Sequence, residues 1–270
     1  MARIGQGTWK FPTRGAAVEE AKRALRRGIE LGMTHIDTAE MYGDGRSEEI
    51  IGEAIKGLAR EKLFIVSKVL PQNASYEGTI RACEHSLLRL RTDYLDAFLL
   101  HWRGGNVLRE TMRALEQLVH QKKIKALGVS NFDVNDLREA ANYLDAGHIV
   151  CNQVLYNFEE RGIEHDLFDY CRENGIAVVA YTPFGGLPGE RTKARAKLAE
   201  IAGKHGVNIY TLTLAWVTRD PICFTIPKAS DVAHVEQNAR AGDLVLDEAD
   251  LRAIDAVLPP PRGPTSLAMG

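Results

Sequence analysis

The sequence predicts an α/β fold, a closed (β/α)8 TIM barrel that takes in residues 1–270 as a single domain. Three observations predict it: eight short β-branched and aliphatic runs, amphipathic stretches between them, and no hairpin turn such as Asn-Gly joining one run directly to the next. Runs apolar on both faces suit strands covered on both sides, which pair in parallel through crossover helices. Eight such units fit the length of one barrel. A doubly wound sheet is the competitor, but no GxGxxG follows the first strand.

The strands fall, in order, near residues 2–7, 34–39, 62–69, 94–101, 124–131, 149–156, 176–183 and 222–229. After the first comes a helix in which Val18, Ala21, Leu25 and Ile29 share one face, and Gly32 ends it. Asp133 is placed to cap the helix after strand five. Strict alternation then breaks. Extra helices are expected after strand seven, where 193–205 and 209–219 follow each other, and near the C-terminus at 248–257. The tail PPPRGPTSLAMG cannot continue a helix and is expected as a disordered end or a flap over the barrel mouth.

Charge and composition narrow the function. A net charge of -2, with Lys and Arg scattered along the chain, leaves no footprint for nucleic acid or an anionic membrane. Cys83, Cys151, Cys171 and Cys223 are far apart, share no metal spacing with histidines, and read as reduced core thiols. No apolar run is long enough to cross a bilayer and the N-terminus lacks a signal-peptide core, so a soluble, cytoplasmic protein is expected.

Loops after the strands build the active site of such a barrel, so polar residues at strand ends carry the chemistry. Asp37 ends strand two, Lys68 strand three and His101 strand four, and Tyr42 lies in the loop after strand two. Ser130 and Asn131 end strand five, Gln153 is in strand six, Tyr181 in strand seven, and strand eight delivers Lys228 and Ser230. A carboxylate, a phenol, an ammonium and an imidazole are what one would assemble to move a proton onto a carbonyl oxygen. Taken singly, each is more often a surface, capping or core residue. His35 and Trp216 read as core, and Arg103 as a solvent-facing charge.

Eight short motifs resemble the aldo-keto reductase family in that family's order: GxGTW at residues 5–9, DTAEMYG at 37–43, LFIVSKV at 63–69, LLHW at 99–102, GVSNF at 128–132, NQVLYN at 152–157, AYTPFG at 180–185 and IPKAS at 226–230. The resemblance implies a reductase of aldehydes and ketones that uses NADPH, with NADH as an alternative donor, and no metal. Its catalytic tetrad falls on Asp37, Tyr42, Lys68 and His101. Tyr42 would be the acid, Lys68 would lower its pKa, Asp37 would hold Lys68 protonated, and His101 would orient the carbonyl. Ser130, Asn131 and Gln153 would bind the carboxamide and Tyr181 would stack on the nicotinamide. Gly7, Thr8, Trp9 and Asp37 would also line the cofactor site. Lys228 and Ser230 would hold the 2′-phosphate, and Asn238 the adenine. Trp9, Tyr42, His101, Trp102 and Phe132 would form the substrate pocket.

Two departures from the family pattern matter. His234 replaces an Arg that clamps the 2′-phosphate, and Gln237 replaces a Glu before Asn238. An imidazole lacks the permanent charge of guanidinium, so the NADPH preference is expected to be weakened. The chain also begins almost at strand one, so no hairpin is expected beneath the barrel. The expected partner is a small carbonyl compound, and the expected state a monomer or weak homo-oligomer. A class I aldolase using Lys68 as a Schiff base, a metal-dependent hydrolase and an idle barrel that senses nicotinamide redox state are the alternatives.

Overall fold

Parallel pairing runs without interruption through eight strands: β1 (Gln6–Gly7), β2 (His35–Asp37), β3 (Phe64–Val69), β4 (Leu95–Leu100), β5 (Ile124–Ser130), β6 (Ile149–Leu155), β7 (Ala177–Tyr181) and β8 (Cys223–Thr225). The computed structural model describes residues 2–263 and 265–269. Bridges from Ile4 to Thr225 and from Gly7 to Lys228 join the first strand to the last, so the sheet closes into the predicted barrel. Gly7 is required there, because a Cβ at that position would lie 2.4 Å from Ile226 O.

Among the described residues ten α-helices surround it: α1 (Ala16–Glu30), α2 (Arg46–Ala54), α3 (Tyr76–Leu90), α4 (Leu108–His120), α5 (Val134–Ala141), α6 (Leu167–Glu173), α7 (Lys193–Lys204), α8 (Ile209–Val217), α9 (Val232–Ala239) and α10 (Glu248–Val257). The pair α7 and α8 and the extra α10 stand where the sequence places them. Asp133 caps α5 in a capping box with Asp136, and Gly32, at φ 88°, follows the end of α1.

Period-two alternation divides the core. Ile36, Ile65, Phe98, Val129, Val154 and Val178 point outward into one large cluster beneath the helices. Val66, Leu99, Cys151, Val179 and Ile226 fill the barrel interior, with His35 beside them. Each large apolar side chain buried this way contributes about 1.5–3 kcal/mol. All four cysteines are buried and unpaired by disulfides, and burial pushes each thiol up to about 12.

A buried polar knot fixes the segment between β6 and α6 against α8 and α10. Tyr156 donates to Glu164 Oε1 at 2.6 Å and accepts from Arg219 Nη1 at 2.6 Å. Arg161 binds Glu164 through two nitrogens at 2.9 Å and reaches Asp255 at 2.8 Å. Trp216, fully buried as the sequence suggests, packs against the guanidinium groups of both Arg161 and Arg219. In the tail, Pro264 and Gly270 lie outside the described residues. Residues 265–267 share a groove with Asp133, Arg138 and Asp166, and among the described residues no part of the tail lines the central pocket. Residues 265–267 therefore lie against the starts of α5 and α6 rather than in the central pocket.

Candidate active site

Each candidate side chain at a strand end stands two residues beyond an inward position of its strand. Asp37 follows His35, Lys68 follows Val66, His101 follows Leu99, Ser130 follows Gly128, Gln153 follows Cys151, Tyr181 follows Val179 and Lys228 follows Ile226. Because successive side chains alternate across a strand, that spacing aims all seven into the barrel mouth. Six of them, all but the fully buried Lys68, line a pocket of about 400 Å³.

The most densely bonded group there is Lys68. Its Nζ donates to Asp37 Oδ1 at 2.6 Å, to Thr38 O at 2.9 Å and to Tyr42 Oη at 3.2 Å. An ammonium has three donors, and all three are used. Asp37 accepts on its other oxygen from Gln153 Nε2 at 2.7 Å. Lys68 and Asp37 are both wholly buried. Burial works against the Lys68 charge, but Asp37 and Tyr42 outweigh it and hold the ammonium above its ordinary pKa.

Tyr42 sits against Trp9, with ring centroids 4.9 Å apart, and 5.8 Å from the His101 ring. The sequence-based expectation was a lowered phenol pKa. The structure gives the opposite net direction: burial raises Tyr42 above its ordinary value, and the Lys68 charge offsets only part of that. The phenol is therefore protonated at neutral pH. Burial, helped by the Lys68 charge, pushes His101 down to about 2. Its imidazole is neutral, and Nδ1 is buried without a hydrogen-bond partner among the described residues. Tyr42 therefore carries a proton at neutral pH and His101 does not carry a charge.

Ser130, Asn131, Gln153 and Tyr181 are also brought together, already bonded to one another. Ser130 Oγ donates to Gln153 O at 2.8 Å, Asn131 Nδ2 to Ser130 Oγ and to His101 O, both at 3.1 Å, and Tyr181 Oη to Asn131 Oδ1 at 2.8 Å. Gly7, Thr8, Trp9 and Trp102 line the pocket as expected, and Thr8 Oγ1 ties itself to Asp37 O at 2.9 Å. Lys228 lines it too and donates to Ser230 Oγ at 3.0 Å.

Other residues lie elsewhere. Phe132, expected on the substrate wall, is fully buried in the main core instead. Asn131 takes a left-handed turn at φ 60°, and the backbone of Phe132 is then held by both ends of the Asn152 amide. Ser230, on the segment entering α9, and His234 and Asn238, within α9, stand off the pocket wall. His234 Nδ1 lies 2.5 Å from Asp231 Oδ2. Arg103 is tied to Asp136 and Glu139. The wall also includes Lys10, Met41, Thr182, Pro183, Phe184 and Ile226, to which the sequence assigned no role. The motif TPFG after strand seven was the available signal for three of them.

A model of the aldo/keto reductase family matches residues 3–259. The methylglyoxal reductase YeaE of Escherichia coli is 45% identical over 269 residues, covering 98% of this chain and 94% of that protein. The glyoxal reductase of Bacillus subtilis is 38% identical over 259 residues, covering 95% and 89%. Among solved structures, an aldo-keto reductase from Klebsiella pneumoniae in complex with NADPH is 44% identical, with a TM-score of 0.93 over 99% of this chain and 95% of that one.

Proposed function

The chain belongs to the aldo/keto reductase family, and from that premise we propose that it reduces small aldehydes, ketoaldehydes and ketones to alcohols with NADPH, Tyr42 acting as general acid. Small α-ketoaldehydes such as methylglyoxal are the preferred class, by analogy with the glyoxal and methylglyoxal reductases it is similar to. A pocket of about 400 Å³ walled by Trp9, Trp102 and Phe184 is compatible with such compounds.

The donor set fits a nicotinamide dinucleotide phosphate. Among the described residues Lys228 meets no carboxylate, which leaves its charge for a phosphate, and Ser230 adds a hydroxyl beside it. Asn131, Gln153 and Tyr181 offer an amide-binding edge and an aromatic face. Gln153 Nε2 is committed to Asp37, so its share in holding a carboxamide falls to Oε1. Asn238 and His234 would meet the adenine end.

When bound, the reduced nicotinamide supplies the hydride. Negative charge grows on the carbonyl oxygen as the carbon is reduced, and Tyr42 Oη delivers its proton there. The phenolate left behind is stabilised by Lys68 Nζ, 3.2 Å away. Asp37 keeps that ammonium charged and Thr38 O helps aim it. His101, neutral throughout, donates a hydrogen bond that orients the carbonyl. The observation that carries this reading is the triple hydrogen bonding of Lys68. It also argues against the aldolase alternative, which requires a neutral, unencumbered amine.

Oxidation of NADPH and NADH with methylglyoxal, compared between the wild type and Tyr42→Phe, tests the proposal. Turnover that disappears in the variant while NADPH still binds supports it. Tight NADPH binding without turnover on any small carbonyl would favour the redox sensor instead.

A further inference from the structure

Asn157 lies just beyond Tyr156, behind the pocket wall, and its two amide atoms serve two different loops. Oδ1 accepts from Glu159 N at 2.9 Å and Glu160 N at 3.0 Å, closing the turn after β6. Nδ2 donates to Thr182 O at 3.2 Å, across to the loop after β7. The turn after β6 is a fixed post, because Tyr156 and Arg161 on either side of it are locked into the Glu164 knot. Gly185 and Gly186 let the second loop come close: a Cβ on Gly185 would lie 2.6 Å from Asn157 Nδ2, and one on Gly186 2.6 Å from Glu159 N.

Thr182 needs such a tether. Its φ is 53°, a left-handed conformation that is a genuine outlier for a β-branched residue. Among the described residues six non-glycine positions have positive φ, and three of them, Lys10, Asn131 and Thr182, line the pocket. Clustering of strained backbone at one site points to function there. Thr182 directly follows Tyr181, whose hydroxyl donates to Asn131 Oδ1. Tyr181 is held in β7, and the conformation of Thr182 sets the course that the chain takes from it through residues 182–184 along the wall.

We propose that Asn157 is a positioning residue: by holding Thr182 in its left-handed conformation it sets the wall of residues 181–184 against which the nicotinamide cofactor binds. The inference rests on the reductase reading of the pocket. Asn157 itself does not line the pocket, so its influence passes through Thr182.

The replacement Asn157→Asp separates the two jobs. It keeps the oxygen that accepts from Glu159 and Glu160 and removes the donor to Thr182. NADPH affinity is read from protein fluorescence in the wild type, Asn157→Asp, Thr182→Gly and the double variant, with thermal unfolding followed alongside. Loss of the tether is expected to weaken NADPH about tenfold. Glycine adopts positive φ unaided, so in the Thr182→Gly background the same replacement is expected to weaken NADPH less than about threefold. Asn157→Ser, with a hydroxyl too short to span to Thr182, gives the same readout should the aspartate variant not fold. Equal losses in the two backgrounds, or no loss in the wild-type background, overturn the inference alone. A wild-type protein that does not bind NADPH overturns the reductase reading, and this inference with it.

Discussion

Lys68 Nζ lies 2.6 Å from Asp37 Oδ1, and neither side chain reaches solvent. A buried ion pair gains little over apolar packing, but removing one member strands the other charge. Asp37→Leu would leave the ammonium with only Thr38 O and Tyr42. The expected outcome is a loss of about 3–5 kcal/mol in urea-unfolding free energy at neutral pH. A loss below about 1 kcal/mol would mean that Lys68 is uncharged in the folded state, against the direction its neighbours impose.

Removing the phenol oxygen takes away the proposed proton donor and none of the groups proposed to hold the cofactor. Tyr42→Phe is expected to lower kcat/KM for methylglyoxal by about 10²–10⁴, with NADPH affinity unchanged. Steady-state turnover and fluorescence titration check the two halves separately.

Burial raises Tyr42 above the ordinary phenol value. In the cofactor-free protein the tyrosinate absorbance of wild type minus Tyr42→Phe should therefore emerge only above about pH 10. Since the Lys68 charge is the main influence lowering it, Lys68→Met should move that difference signal to still higher pH. An unchanged titration would detach Lys68 from the phenol.

Two buried imidazoles predict acid sensitivity. Burial pushes His35 down to about 4, and burial with the Lys68 charge pushes His101 down to about 2. Unfolded, each titrates near its ordinary value of about 6.5. Between that value and the folded one the unfolded chain binds more protons, so stability is full above about pH 6.5 and falls as pH drops. Each histidine should remove about 2 kcal/mol between pH 7 and pH 5. Urea unfolding at the two pH values should show His35→Asn recovering one such share.

The site and its surroundings differ in how far they can be read without coordinates. Asp37, Lys68 and His101 are legible because strand alternation and barrel geometry fix where a residue two beyond an interior position must point. Phe132 is not, because one left-handed residue, Asn131, reverses that rule, and nothing in the local pattern announces it. Thr182 hides a similar reversal behind a residue that seldom adopts it. The direction of the Tyr42 shift was also out of reach: it depends on how completely Trp9 and the loop after β2 exclude water, which is a tertiary property.

His234 spends its imidazole on Asp231, and its side chain is 68% exposed. His234→Arg would place a permanent charge with bidentate reach at the mouth of the proposed phosphate site. The expected result is about a tenfold gain in NADPH affinity, with NADH affinity unaltered. Equal gains for both cofactors would show that position 234 does not meet the 2′-phosphate.

Four thiols with pKa values of about 12 mean that the folded chain presents almost no thiolate at neutral pH. Dicarbonyl compounds are electrophiles that damage proteins by capturing such nucleophiles. Under the reading proposed above, a barrel that keeps its thiols protonated and buried withholds its cysteines from the electrophiles it would reduce.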